Sequence, residues 1–427
     1  MSKGDADRAN VSRRGLFGAA AALAAVGASL GTGALAALPE AQAPAAGGAE
    51  PFWGAHQGGI VTPAQLHTYF AAFDLVASKR EQVVELLQRW TAAAAQRSAG
   101  QPVQAAGYDA DAPAADAGDL VGLPPSRLTV TFGFGPGLFS KDGVDRYGLA
   151  ARRPAALVDL PVFPGDQLVE AKTGGDLSVQ ACADDPQVAF HAVRELARLA
   201  YDIAEIRWVQ SGFVAGFGKE TPRNLMGFKD GTNNPSVDDP AAMNAVVWVG
   251  DEGPGWMRGG SYVVFRRSRI FLEHWDRMKV GFQEQTVGRQ KHSGAPLGQA
   301  SEHDAPDLAA TDADGNPVIP ENSHVRLAIA ETNDGAKILR RAYSYNDGVN
   351  FTAERWPPWK QGMEFDAGLL FVCYQRDPHT GFIKIFERMA RFDMMNQFIT
   401  NTGSALFACP GGVAKGEFIG QSLFDTV

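Results

Sequence analysis

The sequence predicts an α+β protein made of two successive units, each an antiparallel sheet covered on one face by helices. Two observations carry this. Apolar or alternating runs read as strands at 69–77, 128–134, 177–183 and 206–214, and again at 261–270 and 368–375. Helical patterns fall between them at 78–95, 186–201, 273–284 and 382–395, so strand, helix and strand recur on both sides of a central motif. With 427 residues and 45% hydrophobic composition the chain can bury a large core, and the units are placed at 51–220 and 221–427.

The N-terminus is read separately. Ser12-Arg13-Arg14-Gly15-Leu16-Phe17 is a twin-arginine pattern, followed by an Ala- and Gly-rich apolar stretch to Leu38 and by Ala41-Gln42-Ala43 as a processing site. Residues 1–43 are expected to be a cleaved Tat export signal, which places the mature protein in the periplasm or outside the cell. The competing reading, a membrane anchor, is disfavoured by the weak hydropathy of Ala and Gly. Folded export hints at a cofactor inserted before translocation. Residues 44–50 are a linker.

In the first unit, Thr62 before Pro63 suggests the start of a short helix, then a strand. Val83, Leu86, Leu87 and Trp90 recur at helical spacing within 78–95, and the Ala/Gly/Asp-rich residues 96–117 read as a surface insertion. Residues 128–134 alternate as a strand that runs into Gly135-Pro136-Gly137.

Composition excludes several function classes. The net charge is -9, with 39 basic against 48 acidic residues, so nucleic acid is not an expected partner. Cys182, Cys373 and Cys409 form no C-x-x-C, and buried free thiols are expected in place of a disulfide framework or zinc site. Asp312-Ala313-Asp314-Gly315-Asn316 starts like a calcium loop, but Pro317 stands where that loop requires Gly. No phosphate-binding loop, nucleophile elbow or dinucleotide fingerprint is present.

The chemistry gathers at three places. Gly227-Phe228-Lys229-Asp230-Gly231-Thr232-Asn233-Asn234-Pro235 sets a carboxylate between glycines ahead of a turn, and the same composition also describes a plain tight turn. Of the eight histidines, His324 stands out where a Pro-containing loop enters an apolar segment, a setting suited to a ligating imidazole. Arg340 and Arg341 are adjacent in an apolar-aromatic strand pattern, so only one can point inward. A buried Arg needs an anionic partner, and a structural carboxylate would serve either one.

These three segments resemble the dye-decolourising peroxidases, a family of haem b enzymes. Gly227 to Gly231 matches the GxxDG motif, Ser323-His324-Val325-Arg326 looks like the proximal-ligand segment, and Leu339 to Tyr345 looks like the distal-arginine segment. The resemblance spans nearly all of the mature chain. It implies two ferredoxin-like units, with haem b (iron protoporphyrin IX) held mainly by the second. It also implies a peroxidase that reduces hydrogen peroxide and oxidises dyes, phenols or other organic donors.

Carried over residue by residue, the resemblance makes His324 the iron ligand and Asp393 the acceptor for its other ring nitrogen. Asp230 becomes the acid-base group. Arg340, favoured over Arg341, becomes the cation beside it. An aspartate base implies turnover favoured at acidic pH. Electrons from bulky donors would reach the haem through surface aromatics, for which Trp356, Trp359, Tyr343 and Tyr345 are candidates, although packing roles describe each of them better.

Together with the Tat pattern, the chain is similar to the exported bacterial subgroup that includes the peroxidase component of ferrous-iron uptake systems. The alternative function is therefore a haem-binding or iron-release component partnered with an uptake permease. A homo-oligomer is expected.

Overall fold

Strand pairing falls into two antiparallel sets before it becomes one nine-stranded sheet. In the first set, β1 (His67–Leu75), β2 (Thr129–Phe134), β3 (Leu177–Ala183) and β4 (Ala204–Phe213) lie in the order β4–β1–β3–β2. The second comprises β5 (Ser261–Ile270), β6 (Leu339–Arg340), β7 (Tyr343–Ala353), β8 (Gln361–Gln375) and β9 (Ile399–Cys409). Its order is β7–β8–β5–β9, and the two-residue β6 pairs with β8 at Tyr374 and Cys373. The sets join through single residue pairs, Phe134 with Ala408 and Phe213 with Ser344. The computed structural model describes residues 48–101, 118–119, 123–215, 220–353 and 361–425. The Tat pattern, most of the expected insertion at 96–117, and Trp356 and Trp359 lie outside the described residues.

The helices of the first half form for readable reasons. In α1 (Arg80–Ser98), Val83, Leu86, Leu87, Trp90 and Ala94 share a buried face at helical spacing. In α2 (Pro186–Leu199), Asp185 accepts hydrogen bonds from the Gln187 and Val188 amides at 2.8 and 3.0 Å, and Pro186 fits the first turn, whose amide has no partner anyway. The two helices are tied by the Trp90 indole, which donates to the Leu196 carbonyl at 2.7 Å. Together with one face of β1, β2 and β3 they make one core.

A second core lies among β1, β4, β5, β7, β8 and β9, where Phe70 and Trp208 meet Phe265 and Phe407. Ring centroids of Trp208 and Phe265 are 4.2 Å apart. Burying each such ring stabilises the fold by about 1.5–3 kcal/mol. Tyr343 and Tyr345 are 1% and 0% exposed, so neither offers a surface step for electrons. All three cysteines are free and buried, as expected.

Several elements differ from the sequence reading. Residues 62–66 form no helix; Thr62 Oγ1 accepts from the Gly59 amide at 3.0 Å in an irregular segment. After α3 (Pro240–Val246), the helix expected at 273–284 is two short ones, α4 (Leu272–Trp275) and α5 (Val280–Val287). Lys279 takes an extended conformation between them, and Gln283 Nε2 satisfies the Trp275 carbonyl at 2.9 Å. His324 opens a short helix, α6 (His324–Ala328). The helix expected at 382–395 is α7 (Lys384–Phe392), which follows a π-helical turn at His379–Ile383. It stops at Asp393, where the backbone turns extended. β9, and the extensions of β7 to Ala353 and of β8 back to Gln361, are elements that the sequence reading did not contain.

Candidate functional site

Beside the second set of strands lies a cavity of about 340 Å³. Arg266, Ser268 and Ile270 of β5 and Leu369 and Phe371 of β8 line it, alternate residues that the pleat turns to one face. Val325 and Ala328 of α6 and Ile385, Phe386 and Met389 of α7 add apolar wall. The segment 224–235 adds polar lining, including Asp230.

Asp230 is placed by its own loop. Its amide donates to the Pro222 carbonyl at 2.8 Å, and Gly231, at φ +115°, turns the chain so that the Asn234 amide reaches the Gly231 carbonyl at 2.9 Å. The expected turn therefore exists. Its carboxylate accepts from Arg340 Nη1 at 2.6 Å and from Asn224 Nδ2 at 3.4 Å. Asn234 was legible in the sequence only as a turn former. In the fold its side chain accepts from the Arg340 amide at 3.1 Å and donates to the Arg340 carbonyl at 2.7 Å, clasping the strand that carries the guanidinium.

Adjacent strand residues point opposite ways, and the two arginines do so here. Arg340 enters the cavity and pairs with Asp230. Arg341 is buried on the other side, bonded to the Thr62 carbonyl and Gln65 Oε1. Its partners are neutral amide oxygens, not the structural carboxylate considered from sequence.

His324 lines the same cavity, and its Nδ1 lies 2.7 Å from Asp393 Oδ2. The other Asp393 oxygen accepts from the Met395 amide at 2.8 Å, which fixes the carboxylate at the end of α7. Burial disfavours the imidazolium, but the charge and hydrogen bond of Asp393 outweigh burial and hold the imidazole pKa above its ordinary value. The 31% of the side chain that stays accessible faces the cavity. Nε2 has no hydrogen-bond partner among the described residues.

Behind Asp230, Lys229 Nζ and Thr232 Oγ1 donate to Glu302 at 2.5 and 2.9 Å. Burial works against the Glu302 anion, yet the bonds from Lys229, Thr221 and Thr232 bring its pKa down to about 2. Glu302 had no signal in the sequence.

The donor set fits a haem. No group of three or more His, Cys, Asp or Glu side chains that could hold a bare metal ion occurs among the described residues. A haem brings four nitrogens of its own and asks the protein for an axial ligand. A carboxylate-backed imidazole with a free Nε2 in an apolar slot meets that need.

Similarity to proteins of known class agrees. The models for the N-terminal and C-terminal parts of Dyp-type peroxidase match residues 57–214 and 221–414. The chain belongs to the Dyp-type peroxidase family and is a haem peroxidase, using hydrogen peroxide and organic substrates. It is 38% identical to a dye-decolorizing peroxidase of Thermobifida fusca, with 100% of both chains covered. It is 36% identical to a deferrochelatase of Yersinia pseudotuberculosis over 88% of this chain and 85% of that one. Among solved structures, an oxyferrous complex of DtpA from Streptomyces lividans superposes with a TM-score of 0.80 at 40% identity, covering 89% of this chain and 98% of that chain.

Proposed function

We propose that this chain reduces hydrogen peroxide at a haem b held through His324 Nε2, and oxidises dyes, phenols or other organic donors. The observation that carries this is the pair of contacts lining one cavity: Asp230 with Arg340 at 2.6 Å, and His324 with Asp393 at 2.7 Å. Haem, when bound, supplies the electrons that cleave the O–O bond. Asp230 takes the proton from one peroxide oxygen and returns it to the departing oxygen as water forms. Arg340 offers a fixed positive charge where negative charge grows on the leaving oxygen. Asp393 keeps the His324 ring oriented and electron-rich.

An absorption spectrum of the haem-replete protein before and after one equivalent of peroxide tests this reading. A Soret band that peroxide shifts is expected in the wild type. A missing band, or one retained unchanged in His324→Ala, would overturn it.

The alternative role, a haem-binding or iron-release component working with a permease, is supported by the deferrochelatase relatives. Release of free porphyrin from bound haem by the purified protein would favour it over peroxidase turnover. Tat export, with the mature protein periplasmic or extracellular, is supported by the Arg13-Arg14 pattern. A division into ferredoxin-like units at 51–220 and 221–427 is supported by matching strand orders: β4–β1–β3–β2 in the first, and in the second β9–β5–β8–β7, its fourth, first, third and second long strands.

A further inference from the structure

One carboxylate holds the loop of Asp230 from behind. Glu302, 12% exposed, accepts from Lys229 Nζ at 2.5 Å through one oxygen and from Thr232 Oγ1 at 2.9 Å through the other, and Thr221 adds a third side-chain hydrogen bond. Lys229 and Thr232 flank Asp230 in the chain, and Thr221 stands where the loop begins. A single side chain thus grips the loop on both sides of the residue that faces the cavity.

Glu302 is itself fixed. The buried Arg289 guanidinium donates to the Glu302 carbonyl at 2.8 Å and to the Gly294 carbonyl at 2.7 Å. Gly294 has φ +77°, and a Cβ there would come within 2.8 Å of Lys229 Cδ, so the bare backbone leaves the lysine its path to Glu302. Arg223 donates to the Gly227 carbonyl at 2.8 Å and to the Lys291 and His292 carbonyls at 2.6 and 2.7 Å, tying the loop to the same segment a second time.

We propose that Glu302 is a positioning residue for the peroxide reaction, which staples the loop through Lys229 and Thr232 and thereby holds the Asp230 carboxylate in the orientation that proton transfer needs. This rests on the reading of Asp230 as the acid-base group of a haem peroxidase. The Asp230 carboxylate is bonded to Arg340 on a strand and to Asn224 in its own loop, so its place in the cavity follows the loop backbone. Glu302 is not among the described residues that line the cavity, and it acts through the loop alone. Gln in its place keeps the shape but has one accepting oxygen, and its amide group would donate toward the Lys229 ammonium or the Thr232 hydroxyl, which are donors already. One grip would be lost, and small misplacements of a reacting group are costly in rate.

Stopped-flow reaction of the haem-loaded protein with peroxide, together with amide hydrogen exchange across 221–234, tests the proposal. Glu302→Gln should slow the peroxide step by about 10–100-fold and speed exchange in the loop. Peroxide and donor are consumed in separate steps, so a defect confined to the first raises KM for peroxide and leaves kcat with the organic donor unchanged. Glu302→Asp, which keeps the charge on a shorter arm, should recover part of the rate. Glu252→Gln is the control: Arg376 grips Glu252 at 2.6 Å on the surface, and its loss should change neither rate nor loop exchange. A wild-type peroxide rate in Glu302→Gln, with Asp230→Asn still slow, would overturn this proposal alone, as would unchanged loop exchange or a fall in kcat that matches the rise in KM. A wild-type rate in Asp230→Asn would instead remove the acid-base reading and the proposal with it. Should Glu302→Gln fail to fold, Lys229→Met combined with Thr232→Val removes the same staples from the loop side and is held to the same outcomes.

Discussion

The Asp230 carboxylate and the Arg340 guanidinium, 110 positions apart in the chain, meet at 2.6 Å inside the cavity. Replacing Asp230 by Asn keeps the shape and removes the proton acceptor. Asp230→Asn is expected to slow the reaction with peroxide by about 10²–10⁴-fold, the usual share of a positioned acid-base group. Stopped-flow absorption measures this, and the Soret band should keep its resting position. An unchanged rate would move proton transfer away from Asp230.

His324 and Asp393 form the second pair. His324→Ala should abolish stoichiometric haem retention. Asp393→Asn, which keeps a hydrogen-bond acceptor but not its charge, should weaken haem retention or activity by about 10–100-fold, as seen when the partner of a metal-bound imidazole is altered. Haem transfer to apomyoglobin measures it. A wild-type transfer rate in Asp393→Asn, with wild-type activity, would leave Asp393 only its capping bond to Met395.

Glu302 gives a pH prediction with a definite sign. Its folded-state pKa is about 2 against an ordinary 4.5, so the fold favours the anion. That stability is present above about pH 4.5 and is lost as pH falls toward 2. Glu302→Gln should flatten this part of the stability-versus-pH curve, measured by thermal unfolding between about pH 2 and 7. A curve parallel to the wild type would show that Lys229 and Thr232 do not stabilise the anion.

Trp275 is fully buried, and its indole donates to the Met226 carbonyl at 3.0 Å, four residues before Asp230. Trp275→Phe leaves that carbonyl without its donor and should cost about 1–3 kcal/mol in denaturant unfolding. It should also slow the peroxide reaction, because the loop that carries Asp230 loses an anchor.

The three motif segments were legible because each places an unusual side chain in a local setting that turns and apolar runs reveal. Long-range partnership was not legible from the residues' own settings and came only through the family resemblance. Nothing near Asp393 shows that it will face His324, 69 positions away, since that contact depends on where α7 ends. The choice between Arg340 and Arg341 needed the register of a two-residue strand. β9 escaped notice because Thr400-Asn401-Thr402-Gly403-Ser404 reads as a loop, and only burial of the strand between β5 and β2 turns those polar residues into partners, such as Ser404 for Arg266 at 2.9 Å. The ribbon of β7 and β8 was hidden by Asn346-Asp347-Gly348, which reads as a turn and is a bulge within β7.

The alternation at β6 sends Arg340 to the cavity and Arg341 into the core. The two positions hold the same residue type, so composition cannot tell them apart; only counting along the chain does. One residue deleted ahead of Leu339 would, with the sheet register kept, present the Arg341 guanidinium to Asp230 and put Ala342 at the core position, whereas one residue inserted there would present Leu339 to Asp230. The cavity thus keeps its cation after one error of sequence and loses it after the opposite one, and what the strand stores is a number, the count of residues between Asp230 and the sheet.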